Sequence, residues 1–311
     1  MAAIGAVAAL VVLVVAIALA ATGGGSRTPA APVKDRLTAV HRAGRGSHAT
    51  HRARGASTAA ALGPATGRPG TTPVPVLMYH VIAAPPAGAP FPGLYVPAAQ
   101  FAAQMQALKS AGWHAVTLDQ LRAYWTRGAK LGPGRPIVLT FDNGYRSQYV
   151  NALPVLARLH WVADENIQLT GLPPSQGGLT DAQVRGLVAA GWELDTQGIS
   201  HADLITLSPS ELHDQVATAR QILRRHYDVP VNWFCYPSGH YDATVISAVR
   251  AAGFIGSTTV VPGWASPSSD PYRLPRLRVL GGTSPASLLS QITSARSTSP
   301  PPTSYGGSGT A

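Results

Sequence analysis

The residues able to do chemistry gather in three short segments. The first is "LTFDNGY" (139–145), with Asp142 and Asn143; the second is "ELDTQGISH" (193–201), with Asp195, Gln197 and His201; the third is "YPSGHYD" (236–242), with Ser238 and His240. A carboxylate such as Asp142 can take a proton from water, and the imidazoles of His80, His201 and His240 can move protons or bind a metal. Two carboxylates in one pocket, Asp142 with Asp195, can divide acid and base roles. Residues 193, 195 and 197 alternate along an extended chain, so Asp195 shares a side with Gln197 and is expected to face the same pocket. Arg276, in "RLPRLRVL" (273–280), is a candidate partner for the Asp142 carboxylate.

Each segment follows a short apolar run that reads as a buried strand. "VPVLMYHVI" (74–82), "HAVTL" (114–118), "PIVLTF" (136–141), "NIQLTG" (166–171), "WELDT" (192–196), "VNWFCYP" (231–237) and "FIGSTTV" (254–260) alternate with helical patterns, the signature of parallel strands covered by helices. Phe101, Met105 and Leu108 recur at helical spacing up to a stop at Gly112, and "YVNALPVLARLHW" (149–161) is helical as well. Thr180 with Gln183, and Ser208 with Glu211, mark helix starts as capping boxes, and Asp242 caps the helix that follows it. About seven such units in one chain predict an α/β fold of the distorted (β/α)7 TIM-like barrel type, with all three polar segments on the rim where strands end.

The order of these motifs, with the opening Met78-Tyr79-His80 and the phrases "LTDAQVRGLVAAGWEL" and "AVRAAGF", resembles the polysaccharide deacetylases of carbohydrate esterase family 4, the NodB-homology domain, over residues 74–282. The resemblance implies hydrolysis of N-acetyl groups on a polysaccharide, with a zinc-like divalent metal held by one Asp and two His. It places the catalytic base at Asp142 and the three metal positions at Asn143, Gln197 and His201. Two of those three differ from the family's residues, because Asn143 stands for Asp and Gln197 for His. Asp195 is then a candidate to restore a ligand, to bond Asn143 and Gln197 in a metal-free network, or to be a buried aspartate satisfied by backbone amides. The family's oxyanion-binding turn corresponds to Pro237-Ser238-Gly239, where a backbone donor would act whatever the side chain. The family's terminal Leu-His motif, source of its general acid, has no match, which leaves His80 and His240 as substitutes.

Charge is distributed unevenly. The chain of 311 residues carries a net charge of +10, and residues 22–73 hold eight of its Lys and Arg against a single acid, Asp35. Such a stretch is expected to be a flexible basic stalk that attracts an anionic envelope polymer or lipid. Residues 1–21 form an apolar run without charge, expected to be a signal peptide or membrane anchor, which makes nucleic acid an improbable partner for the stalk. The protein is therefore expected outside the cytoplasm, secreted or membrane-anchored, as a monomer acting on N-acetylated polysaccharide or peptidoglycan. A single cysteine, Cys235, excludes an intramolecular disulfide and a cysteine-based zinc cluster. Residues 283–311 read as a low-complexity, disordered tail. Three functions stay open: a deacetylase with an altered metal site, a catalytically silent glycan-binding protein, and a metal-independent hydrolase.

Overall fold

The computed structural model describes residues 65–307 except 171, 173–176 and 298. The expected signal or anchor at 1–21 and most of the basic stalk lie outside the described residues. No helix among the described residues is long and apolar enough to cross a membrane.

The architecture is a curled, mainly parallel sheet wrapped by helices. Strands β1 (Val74–Tyr79), β2 (Trp113–Val116), β3 (Arg135–Asn143), β4 (Asp164–Ile167), β5 (Glu193–Thr196), β6 (Trp233–Cys235) and β7 (Gly256–Thr258) pair in parallel, in the order β7-β6-β5-β4-β3-β1, with β2 also on β3. The short strand β8 (Trp264–Ala265) adds antiparallel to β1, and β9 (Leu277–Arg278) adds in parallel. Thr259 N donates to Leu274 O and Val279 N to Met78 O, so the segment 274–279 links the β7 side to β1. Helices α1 (Ala98–Ser110), α2 (Leu118–Arg127), α3 (Leu153–Leu159), α4 (Asp181–Ala189), α5 (Pro209–His213), α6 (Ala219–Tyr227) and α7 (Ala243–Ala251) follow the strands, and α8 (Pro285–Ser294) packs back on the core.

The helices begin where the sequence offers caps. Thr180–Gln183 and Ser208–Glu211 form complete capping boxes, and Asp242 Oδ1 accepts from Val245 N at 2.8 Å. Replacing such a cap by Ala costs about 1 kcal/mol. A third box, Thr117–Gln120, starts α2, a helix the sequence reading misses because it extends the preceding strand through Leu118.

Both faces of the sheet are buried, and they differ in chemistry. The outer face meets the helices through aromatics: Phe141 stacks on Trp192 with centroids 4.9 Å apart and on Tyr79 at 5.6 Å. Truncating Phe141 to Ala would cost about 3–5 kcal/mol through the cavity left behind. The inner face is polar, because Thr140 and Asp142 of β3, Asp164 and Asn166 of β4, and Asp195 of β5 all point inward and are buried. Register places Asp142 beside Asn166, and Asn166 beside Asp195.

Two expected boundaries move. The presumed tail from 283 contains α8, whose Leu288 and Ile292 are buried in the main core, and the residues after it dock through Tyr305, which exchanges backbone bonds with Tyr241. At the other end, Thr66, Gly67 and Gly70 bond to the carbonyls of Gly128, Arg127 and Tyr124 at the end of α2. Composition misjudges both segments because a few apolar contacts and backbone bonds suffice to order them.

Candidate functional site

The three segments do meet at one rim. Asp142 and Asn143 leave β3, Gln197 and His201 follow β5, and Ser238 follows β6, all lining a cleft of about 220 Å³. His80, just after β1, lines it too, and Phe91, Leu94, Tyr95, Tyr145, Leu172 and Tyr236 supply apolar wall. The backbone bends sharply here: Asn143, His201 and Ser238 have φ of 78°, 57° and 54°, a left-handed region that non-glycine residues occupy at a cost. Of the aromatics near strands, Tyr145 reaches the cleft, while Trp161, Trp192 and Trp233 are core.

Asp142 is fully committed. Arg276 Nη1 donates to Oδ1 at 2.7 Å and Nη2 to Oδ2 at 2.8 Å, while Asn166 Nδ2 adds a bond to Oδ1 at 2.9 Å. Burial by itself would raise this carboxyl, yet the Arg276 charge and hydrogen bonds outweigh it and hold the pKa at about 2. The same pairing, against burial, pushes the Arg276 guanidinium up, and Arg276 also donates to Thr259 O and Thr140 Oγ1. The expectation that Arg276 pairs with Asp142 therefore holds. Cys235 Sγ lies 3.5 Å from Asp142 Oδ2, and burial drives its thiol up to about 12, which makes it inert.

The other family positions close on one another. Asn143 N donates to Gln197 Oε1 at 3.1 Å, Asn143 Nδ2 donates to Gln168 Oε1 at 2.6 Å, and Gln197 Nε2 lies 3.2 Å from His201 Nε2. Burial lowers the His201 pKa, and it lowers that of His80 to about 4, so both imidazoles are neutral at neutral pH. His80 Nε2 is 4.0 Å from Asp142 Oδ2.

A zinc-like cation does not fit this donor set. Two of the three positions offer only neutral amides, the Gln197 oxygen already accepts from Asn143 N, and the cleft carboxylate Asp142 is neutralised by Arg276. Asp195 does not rescue the site. It lies deeper, where its Oδ1 accepts from Trp233 N at 2.8 Å, and it groups with Asp164 and Glu193 instead. His240 is also displaced from its expected role, with Nδ1 3.0 Å from Asp203 Oδ1 and Nε2 bonded to Gly307 O.

Comparison with known proteins finds relatives of the same fold. The family model for polysaccharide deacetylase matches residues 129–256, which hold Asp142, Asn143, Gln197, His201 and Ser238. Residues 129–256 are thus similar to a polysaccharide deacetylase domain. A Bacillus subtilis (strain 168) relative, YxkH, which bears the name of a polysaccharide deacetylase, is 27% identical over 68% of this chain and 73% of its own length. A 56-residue stretch is 39% identical to the poly-beta-1,6-N-acetyl-D-glucosamine N-deacetylase of Escherichia coli (strain K12), covering 18% of this chain and 8% of that protein. The Streptococcus pyogenes deacetylase PplD, solved in complex with acetate, superposes with a TM-score of 0.65 at 25% identity, over 72% of this chain and 99% of that one. The curled parallel fold thus matches that of these deacetylase neighbours.

Sequence reasoning missed Gln168 and Asn166, which complete the two polar networks. The signal was present in "DENIQ" (164–168), where every second residue of a strand is polar and so lines its inner face.

Proposed function

We propose that this protein is exported, binds N-acetylated cell-envelope polysaccharide in the deacetylase cleft, and does not hydrolyse it. The observation that carries the proposal is the closed network at the metal positions, in which Asn143, Gln168, Gln197 and His201 engage one another. Hydrolysis of an acetamide needs an activated water and a base; Asp142, with its pKa held at about 2, has little driving force to accept a proton at neutral pH. Binding needs neither. The cleft has apolar and aromatic walls, with Phe91 48% exposed at its mouth, and neutral amides at its floor. Such a surface suits a sugar face and an acetamido group.

The competing reading is an active deacetylase with Asp142 as base and a weak metal site at His201, favoured by the shared location of Asp142, His80 and His201. Calorimetric titration with N-acetylglucosamine oligomers, run beside an acetate-release assay with and without added zinc, separates the two. Saturable binding without acetate is expected, weakened by Phe91→Ala. Zinc-dependent acetate release abolished by Asp142→Asn would overturn the proposal.

A further inference from the structure

Below the cleft, three carboxylates converge. Asp164 of β4 and Glu193 and Asp195 of β5 each offer one oxygen, and these oxygens lie within 4.8 Å of one another. Each carboxylate is fixed by a backbone amide on a single oxygen: Leu118 N donates to Asp164 Oδ1 at 2.9 Å, Asp119 N to Glu193 Oε2 at 3.1 Å, and Trp233 N to Asp195 Oδ1 at 2.8 Å. The second oxygens, Asp164 Oδ2, Glu193 Oε1 and Asp195 Oδ2, accept no hydrogen bond as carboxylates, and Asp164 and Glu193 lie close enough to share a proton. Asp164 and Asp195 are 0% exposed. Asn166, the register partner of Asp195, is as deeply buried and leaves its Oδ1 without a partner as well. Among the described residues none of these carboxylates forms an ion pair. Asp119 adds a further carboxylate nearby, held by Asn232 Nδ2 and Trp233 Nε1.

Buried carboxylate oxygens without partners carry a large desolvation cost unless a proton or a cation satisfies them. We propose that Asp164, Glu193 and Asp195 bind a hard divalent cation of calcium size inside the sheet, at a site separate from the deacetylase cleft. The donors are all oxygen, which selects calcium-like over zinc-like ions. Cation–oxygen distances of about 2.3–2.6 Å would set opposite ligands about 4.6–5.2 Å apart, a span that the spacing here matches. Glu193 is only partly buried and gives the ion a way in. The ion would tie β4, β5 and the start of α2 together.

Protons are the competing occupant. Burial raises the carboxyls of Asp164 and Asp195 well above their ordinary value and takes Glu193 up to about 8. Calcium binding at pH 7.5 therefore releases protons, and its affinity rises with pH.

The test uses the full chain freed of metal by a chelator. Calcium chloride is titrated calorimetrically at pH 7.5 in two buffers of different ionisation enthalpy, and terbium, a calcium mimic, is added separately with excitation through tryptophan. We expect one calcium per chain, proton release, a higher melting temperature, weaker binding of magnesium, and terbium emission sensitised by Trp233 and quenched by calcium. Glu193→Gln and Asp195→Asn should each weaken calcium at least tenfold, while His201→Ala leaves it unchanged. Absence of calcium binding and of sensitised terbium emission in the wild-type chain means protons alone occupy the cluster and overturns the proposal. So does binding that survives both carboxylate variants or is lost with His201→Ala. The terbium measurement needs no variant, so a misfolded substitution does not shield the idea.

Discussion

Arg276→Met tests whether Asp142, the expected base, is locked in its ion pair. In the wild type, the guanidinium makes two bonds to Asp142 and further ones to Thr140, Thr259 and the Cys235 sulfur, all out of solvent. Removing one partner of a buried pair costs about 3–5 kcal/mol, because the other charge is left without compensation. Depression of the Asp142 carboxyl from 3.8 to about 2 corresponds to about 2 kcal/mol of stability. The sign follows from the direction: a carboxyl held low in the folded state contributes fully above pH 3.8, and that contribution is lost as pH falls through about 2. Urea unfolding of the wild type, Arg276→Met, Asp142→Asn and the double variant, at pH 7 and along an acid series, measures both quantities. Each single change should destabilise by about 3 kcal/mol or more at pH 7, and the double variant should fall well short of their sum. The wild type should lose stability between pH 3.8 and 2 in a way that Asp142→Asn does not. An Arg276→Met variant as stable as the wild type, with an unchanged acid limb, would show Asp142 free of the guanidinium and available as a base.

Other outcomes follow from single residues. Restoring the family ligands by Asn143→Asp with Gln197→His should confer one zinc per chain, measured by elemental analysis after dialysis, where the wild type retains none in its cleft. Glu165 is fully buried with both oxygens unpartnered, and burial raises its carboxyl well above the ordinary value. Its contribution is therefore present below pH 4.5 and lost as pH rises, so Glu165→Gln should flatten the decline of the urea midpoint between pH 5 and 8. Gly239 has φ of 77° and an added Cβ would sit 2.3 Å from Val260 Cγ2, so Gly239→Ala should cost about 1–3 kcal/mol in the same assay.

Much of this was legible in the sequence, residue by residue. Capping residues at 180, 208 and 242 mark helix starts because unsatisfied amides at a helix end demand those side chains. Strand alternation correctly puts Asp195 on the inner face with Gln197. It says nothing of depth: Asp195 lies one residue pair lower, where the Trp233 amide from the next strand captures it. Sequence alone does not say whether Asp164 and Glu165 form an acid pair in the pocket or a frayed strand end; the strand is intact, Asp164 faces inward, and Glu165 lies across from Phe141 and Leu194 on the other face. Helix α2 was hidden because Thr117 and Leu118 suit a strand as well as a helix start, and only the Gln120 contact decides. His240 was misplaced since its partners, Asp203 and Gly307, are 37 and 67 residues away in the chain.

The changes at positions 143 and 197 are coupled by charge. An aspartate at 143 would bring a buried negative charge beside the already paired Asp142, and that arrangement is tolerable only with a cation to compensate it. With Asn143 the residue becomes a donor, and Gln197 supplies the matching oxygen to its backbone amide, while Gln168 accepts from its side chain. A histidine at 197 would leave the Asn143 amide without that carbonyl oxygen. Either change alone strands a buried polar atom or a charge; together they give a floor that is neutral without metal. A neutral floor of amides, beside an ion pair that cancels itself, offers no attraction to the ammonium group of a deacetylated sugar. It offers hydrogen-bond partners to an acetamide, which is why the proposed ligand is the acetylated polymer and why binding to chitosan-like, deacetylated oligomers should be at least tenfold weaker.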